Sequence, residues 1–374
     1  MASAEAPVEG RIRIRVVWDG ARVVSASVTS RRPQPHSLLQ GRSLAEACIL
    51  LPRLYSICGE AQGVAAAALQ TLTASGELDP ASAQGWRERL RLETVREHLW
   101  RLGLDWTRVA GRDAWSEPVK ALLTGRERLL QDAGAAAVWA QQTRDLLFGP
   151  AGTFRVDGAA PESLRSWVGS ADTPLTQLLR TLDQQLEGVG RSRFNPKPTG
   201  AFAGLLADAE RRLRVDPDYH WRPDQAGDVF EMGPAARWAD AAPGVAAPLA
   251  AGRSMDAWTR VLARVVELKR LLDGLAERRP ACGELNGWMQ GDAAVVGVEM
   301  ARGMLMHWVR LEDGKIAEYR IVAPTEWNFH PRGACQGGLL GMEATAEQAL
   351  EERVKLHVMA LDPCVRYELE VSRA

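Results

Sequence analysis

The chain has no Cys-x-x-Cys pair and no His-x-x-x-His, and its 374 residues contain only five cysteines and six histidines. A zinc finger or a cysteine-ligated cluster built from a local motif is therefore excluded. The cysteines (Cys48, Cys58, Cys282, Cys335 and Cys364) are odd in number and widely spaced, which argues against a disulfide framework and leaves free thiols or metal ligands. Long apolar runs are also missing. The most apolar stretch, 63–72, is alanine-rich and far short of the roughly 20 residues a membrane span needs. Charge of one sign is not in excess: 46 Lys and Arg face 47 Asp and Glu. Nucleic acid is not expected as the main partner, because phosphate binding needs concentrated basic surface. The basic clusters at 87–96 and 260–270 have acidic residues mixed into the same helices and read as solvated faces. The N-terminus has Glu5 and Glu9 and no apolar core, so no secretory signal is expected and a cytoplasmic protein is the default.

What is present is an ordinary globular composition, 46% hydrophobic with 13 tryptophans, long enough to bury a sizeable core. Ile12, Ile14 and Val16 alternate with Arg11, Arg13 and Arg15, and Val23, Val24, Ala26 and Val28 follow Asp19-Gly20, which predicts a β-hairpin. From Ser43 the apolar residues recur at three and four, predicting a helix through Leu54 and a second over 60–73. Asp79-Pro80 has the form of an N-cap followed by proline at the first helical position, opening a long helix to Arg101. Further helices are expected at 117–131, 134–147, 161–187 and 255–276, with 188–200 and 217–233 loop-like and 239–251 a connection. Strands return at 294–299, 304–311 and 316–322, the last two around Asp313-Gly314, and a helix over 344–360 ends before Asp362-Pro363-Cys364. The expected fold class is α+β, a mainly helical body with small antiparallel sheets from the terminal segments. It forms a single domain over 1–374, with a hairpin at 1–30, helices over 40–280, and strands and a helix over 290–374.

Cys58 falls at the start of a predicted helix, where backbone N–H groups favour a thiolate, and Cys364 falls just past another. A buried structural cysteine is the competing reading for each. Arg302, in Glu299-Met300-Ala301-Arg302-Gly303, enters an apolar strand and needs an acceptor, either an anion or an ion pair with Glu299 or Asp362. Cys48 reads as helix core, and His307 as a core or supporting histidine. His330, in Thr325-Glu326-Trp327-Asn328-Phe329-His330-Pro331-Arg332, is a lesser candidate ligand. So is Cys335, in a flexible loop soon after.

Six separated stretches, in collinear order, resemble the signature blocks of nickel-iron hydrogenase large subunits. Val8-Glu9-Gly10-Arg11-Ile12 is similar to the opening Ile-Glu-Gly-His block. Ile57-Cys58-Gly59, before an alanine-rich helix, resembles Arg-Ile-Cys-Gly-x-Cys, which supplies two of that family's four metal ligands. Phe230-Glu231-Met232-Gly233-Pro234-Ala235-Ala236-Arg237 resembles Glu-Val-Gly-Pro-Leu-Ala-Arg. Glu299 to Trp308 resembles Glu-Ala-Pro-Arg-Gly-x-Leu-x-His-Trp, whose arginine hangs over the active site. Pro324 to Arg332 looks like Pro-Ser-Thr-Trp-Asn-x-x-Pro-Arg, and Asp362-Pro363-Cys364 matches the start of Asp-Pro-Cys-x-x-Cys-x-x-His.

The departures carry the functional inference. Ala61 and Tyr367 stand at the second cysteine positions, and Ala65 and Glu370 at the histidine positions. Four thiolates cannot be assembled, so the resemblance implies no hydrogen turnover and no nickel; the chain also stops at Ala374 without the long tail that is cleaved in the enzymes. This degenerate pattern resembles the HupK/HoxV proteins. It implies a maturation scaffold in which Cys58 and Cys364 transiently hold an iron carrying CO and cyanide, supported by Glu9, Glu299, Arg302 and Asp362. Implied partners are a HypC/HypD-like complex, related chaperones and the large-subunit precursor. By position the two cysteines match the enzyme's terminal nickel ligands, so iron would sit differently or a partner would add a thiolate. Alternatives are an interaction-only chaperone that binds no metal and a non-catalytic subunit of a redox complex. The scaffold reading requires Cys58 and Cys364 to lie close together in the fold.

Overall fold

A computed structural model describes residues 10–150, 161–193, 195–196, 202–238 and 254–374. The hairpin forms as expected: β1 (Arg11–Trp18) pairs antiparallel with β2 (Val23–Arg31), and Gly20 takes a φ of 98° in the turn. Ile12, Ile14, Val16 and Trp18 are all buried beneath it, while Arg11 and Arg15 face outward and pair with Glu368 and Glu370. Those acids belong to β7 (Arg366–Arg373), a strand that lies parallel to β1 in register Arg11↔Arg366 to Trp18↔Arg373. The sequence reading did not include it. Its alternation of half-buried and exposed positions is weak, and only the return of the chain end beside β1 gives it a partner.

The helical body follows. Ser43 caps α1 (Leu44–Leu54) in a reciprocal capping box with Glu46. α2 (Gly59–Ser75) packs its alanines against the C-terminal sheet, and Asp79 caps α3 (Pro80–Trp100) with Pro80 in the first turn. A π-helical turn over Arg101–Trp106 continues α3. α4 (Ser116–Gln131) and α5 (Ala133–Phe148) match their expected spans within about a residue or two. The helix expected over 161–187 is two helices, α6 (Pro161–Ser170) and α7 (Pro174–Leu186). Thr173 caps the second and Pro174 opens it, repeating the Asp79-Pro80 device. α8 (Phe202–Val215) was missing from the sequence reading. α9 (Pro234–Trp238) is short, and α10 (Ala257–Ala276), capped by Asp256, runs through the centre with most of its residues buried. The connection expected at 239–251 lies outside the described residues.

The four-stranded antiparallel sheet is β3 (Leu285–Gln290), β4 (Ala293–Met300), β5 (Gly303–Glu312) and β6 (Lys315–Val322), in that order. β3, also unforeseen, is a mostly exposed edge strand with a glycine inside it, which hides its pattern. α11 (Pro324–Asn328) and α12 (Ala334–Leu339) precede α13 (Glu347–Leu361), which ends at Asp362 in the left-handed region, φ 55° and ψ 65°. The chain is thus α+β. No helix among the described residues is long and apolar enough to cross a membrane.

Candidate functional site

Two chain breaks create the site. The first lies between α1 and α2, where a Cβ on Gly59 would stand 2.9 Å from the Pro52 carbonyl oxygen. Only glycine permits this approach, and it fixes Cys58 at the head of α2. The second is the sharp exit from α13, where Asp362 ends the helix and Pro363 prevents its continuation, so that Cys364 turns back toward α2. Cys58 and Cys364 line one cleft of about 710 Å3, walled also by Gly10, Arg32, Tyr55, Arg101 and Tyr367.

The surroundings of the two sulfurs differ. Cys364 accepts from Arg32 Nη2 at 2.7 Å and lies 3.0 Å from the Thr325 hydroxyl. Burial opposes its ionisation, but the guanidiniums of Arg32 and Arg302 outweigh that and hold the thiol below its ordinary range. Cys58 is 5% exposed. Burial, then Cys364 and Glu93, pushes its thiol up to about 12. The helix-start argument for a Cys58 thiolate is therefore corrected. The first N–H groups of α2 are taken by the Glu93 carboxylate, which accepts from Glu60 and Ala61, and desolvation exceeds what remains of the dipole. Glu93 is itself raised to about 7 by burial.

Behind the sulfurs is a buried charge cluster. Arg302 Nε donates to the Asp362 carbonyl at 3.0 Å, and Nη2 lies 2.9 Å from Glu97 and 3.4 Å from the Asp362 carboxylate. Asp362 also meets Arg101 at 2.5 Å and Arg264 at 3.2 Å. Burial alone would raise Asp362, but these guanidiniums hold it at about 2. Arg302 Nη1 has no hydrogen-bond partner among the described residues. Gly303, at φ 123°, brings the Arg302 turn against Met232 and Gly233, where a Cβ would stand 2.5 Å from the Met232 Cβ.

The other sequence candidates separate. His307, fully buried on β5, joins the site indirectly, since Gln62 bonds to it at 2.9 Å and to the Cys58 sulfur at 3.6 Å. Glu299 is not beside Arg302. It pairs with Arg237 at 2.7 Å and lines a different cleft of about 430 Å3 with Glu267 and Arg270. His330 accepts from the Arg332 N–H and does not line the cysteine cleft. Cys335 is not in a loop; it is fully buried in α12 under the N-terminal sheet, and burial pushes its thiol far up. Glu9 lies outside the described residues. Arg32, Gln62, Glu97, Arg101, Arg264 and Thr325 were not singled out from sequence. Thr325 alone carried a signal, being inside a matched block.

Among the described residues no group of three or more His, Cys, Asp or Glu side chains could hold a metal ion. The arrangement is two soft sulfur donors in an open cleft, with cationic N–H groups beside them and room for ligands the protein does not supply.

A family model for nickel-dependent hydrogenases matches residues 251–366. The chain is 32% identical to the hydrogenase expression/formation protein HoxV of Cupriavidus necator, covering 93% of each chain. It is 30% identical to the expression/formation protein HupK of Rhizobium leguminosarum, covering 98% of this chain and 97% of that one. A reduced, active nickel-iron-selenium hydrogenase from Desulfomicrobium baculatum superposes with a TM-score of 0.55 at 15% identity, covering 93% of this chain and 95% of that chain, a likeness of fold.

Proposed function

The chain belongs to the family of hydrogenase expression/formation proteins that includes HoxV and HupK, and from that premise we propose that it is a non-catalytic maturation scaffold whose cargo is an iron carrying cyanide and carbonyl. The observation that carries the proposal is the meeting of Cys58 and Cys364 in one cleft with Arg302 close behind.

Two thiolates are soft donors suited to low-spin iron, and fewer protein ligands release a metal more readily than four. The cationic surroundings suit such a cargo, since the Arg32 and Arg302 guanidiniums both act on both sulfurs. Among the described residues the buried Nη1 of Arg302 finds no acceptor, a costly state that a cyanide nitrogen would relieve. Ala61 and Tyr367 stand where the enzymes carry their other cysteines; Ala61 is fully buried and Tyr367 walls the cleft, so neither position supplies a bridging sulfur. Hydrogen turnover is not expected of this donor set. The partners that fit the reading are a HypC/HypD-like complex on the donor side and the hydrogenase large-subunit precursor on the acceptor side.

Anaerobic purification from hydrogenase-expressing cells, followed by infrared spectroscopy, tests the proposal. CO and cyanide stretching bands are expected in the wild type and lost in Cys58→Ser and Cys364→Ser. No bands in the wild type, together with maturation that survives loss of both thiols, overturns it and favours an interaction-only chaperone.

A further inference from the structure

A buried chain of polar groups leads away from the Cys58 sulfur. Gln62, one helical turn along α2, directs Nε2 at the sulfur from 3.6 Å, and its Oε1 lies 2.9 Å from His307 Nε2. His307 Nδ1 in turn lies 2.7 Å from the Tyr319 hydroxyl. Gln62, His307 and Tyr319 are each fully buried. The donor inventory fixes the direction of such a chain. If Gln62 donates to sulfur, its oxygen must accept from His307 Nε2–H, which makes Nδ1 the acceptor of the Tyr319 O–H. All three contacts of the chain are then donor-to-acceptor, with one neutral histidine tautomer.

We infer that Gln62 is a positioning residue for Cys58, aimed by His307 and Tyr319 so that an N–H donor waits at the sulfur's unprotonated, cargo-bound form. The physical reason lies in the acceptor. A protonated thiol is a weak acceptor, whereas an ionised one forms a bond roughly twice as strong as a neutral one. A chain that served only packing gains little by ending on a thiol. The opposite polarity, with the thiol donating to Gln62 Oε1, requires the other histidine tautomer and a turned amide, so the two forms are spectroscopically distinct. Gln62 lies on α2, which Cys58 immediately precedes, His307 comes from β5 and Tyr319 from β6, so three elements aim one sulfur.

The inference rests on reading Cys58 as a cargo ligand, but its test needs no iron. Reduced protein without cargo is labelled with 15N-histidine and its His307 tautomer read by long-range proton–nitrogen correlation, while iodoacetamide modification of each cysteine is timed at pH 8 by mass spectrometry. The expected result is a single Nε2–H tautomer in the wild type. Gln62→Met should slow Cys58 modification about fivefold relative to Cys364, the loss of one hydrogen bond to the anion. Tyr319→Phe, a gentler change, should give a mixed tautomer and slow Cys58 about twofold. Loosened packing would instead speed both thiols. A wild-type Nδ1–H tautomer, or an unchanged ratio of Cys58 to Cys364 rates in both variants, overturns the inference. Absent infrared bands with this result intact would overturn the cargo reading alone.

Discussion

The Arg32 guanidinium donates to the Cys364 sulfur at 2.7 Å across 332 positions of sequence, joining the end of the N-terminal hairpin to the exit from the last helix. Arg32 also lies 3.7 Å from the buried Glu326, so a single side chain ties hairpin, α11 and the sulfur together. Of the two cleft cysteines it favours ionisation of Cys364, whose thiol is held below its ordinary range, while burial pushes the Cys58 thiol up to about 12.

Replacing Arg32 by Gln should therefore move the Cys364 thiol up. A depressed thiol pKa keeps the anion present to lower pH, so its loss shifts the midpoint of alkylation rate against pH to higher pH. The midpoint should move to higher pH, and the modification rate below it should fall. An unmoved midpoint, with Cys282 as internal control, contradicts the assignment.

Asp362→Asn removes the carboxylate shared by Arg101, Arg264 and Arg302. Stranding buried guanidiniums should destabilise the fold by about 3–5 kcal/mol, measured by urea unfolding at pH 7. The pH dependence has a definite sign. With Asp362 held at about 2, its contribution is complete above the unfolded carboxyl value and fades as pH falls toward about 2. The gap between wild type and variant should shrink over that window, and a constant gap would rule out the charge explanation.

Gly303→Ala meets both an unfavourable φ of 123° and a Met232 contact of 2.5 Å. A cost of about 2–4 kcal/mol is expected, read as a lowered melting temperature. A melting temperature equal to wild type would contradict this packing.

The remaining thiols should separate by exposure. Cys282 is exposed and should react with iodoacetamide first, whereas fully buried Cys335 should react only on global unfolding. Hydrogen–deuterium exchange of α12 at the same rate as Cys335 modification would confirm that shared opening. Early Cys335 modification would argue for local access to the core under the N-terminal sheet.

Much of the local structure was legible because its signals are local. Asp19-Gly20 and Asp313-Gly314 mark their hairpins through residues that tolerate positive φ, and Ser43, Asp79 and Asp256 cap helices with their own side chains. Among the elements that were missed, β7 is a half-exposed strand whose partner, β1, lies at the other end of the chain, whereas β3 is a mostly exposed edge strand paired with the β4 that directly follows it. Thr173-Pro174 carried the same start signal as Asp79-Pro80, yet continuous apolar spacing over 161–187 obscured it.

By itself the sequence determined the identities available at the site: two cysteines where the resembling enzymes have four, arginine at 302, aspartate at 362. It could not decide the charge state of either sulfur, because that depends on burial and on Arg32 and Glu93, neither of which neighbours its cysteine in sequence. Only the tertiary structure separated Glu299 from Arg302, three residues apart on the chain, by directing one to Arg237 and the other to Asp362. Side chains alternate across a strand and reverse through a turn, so proximity in sequence says little about shared surroundings. Packing alone sets which charges meet.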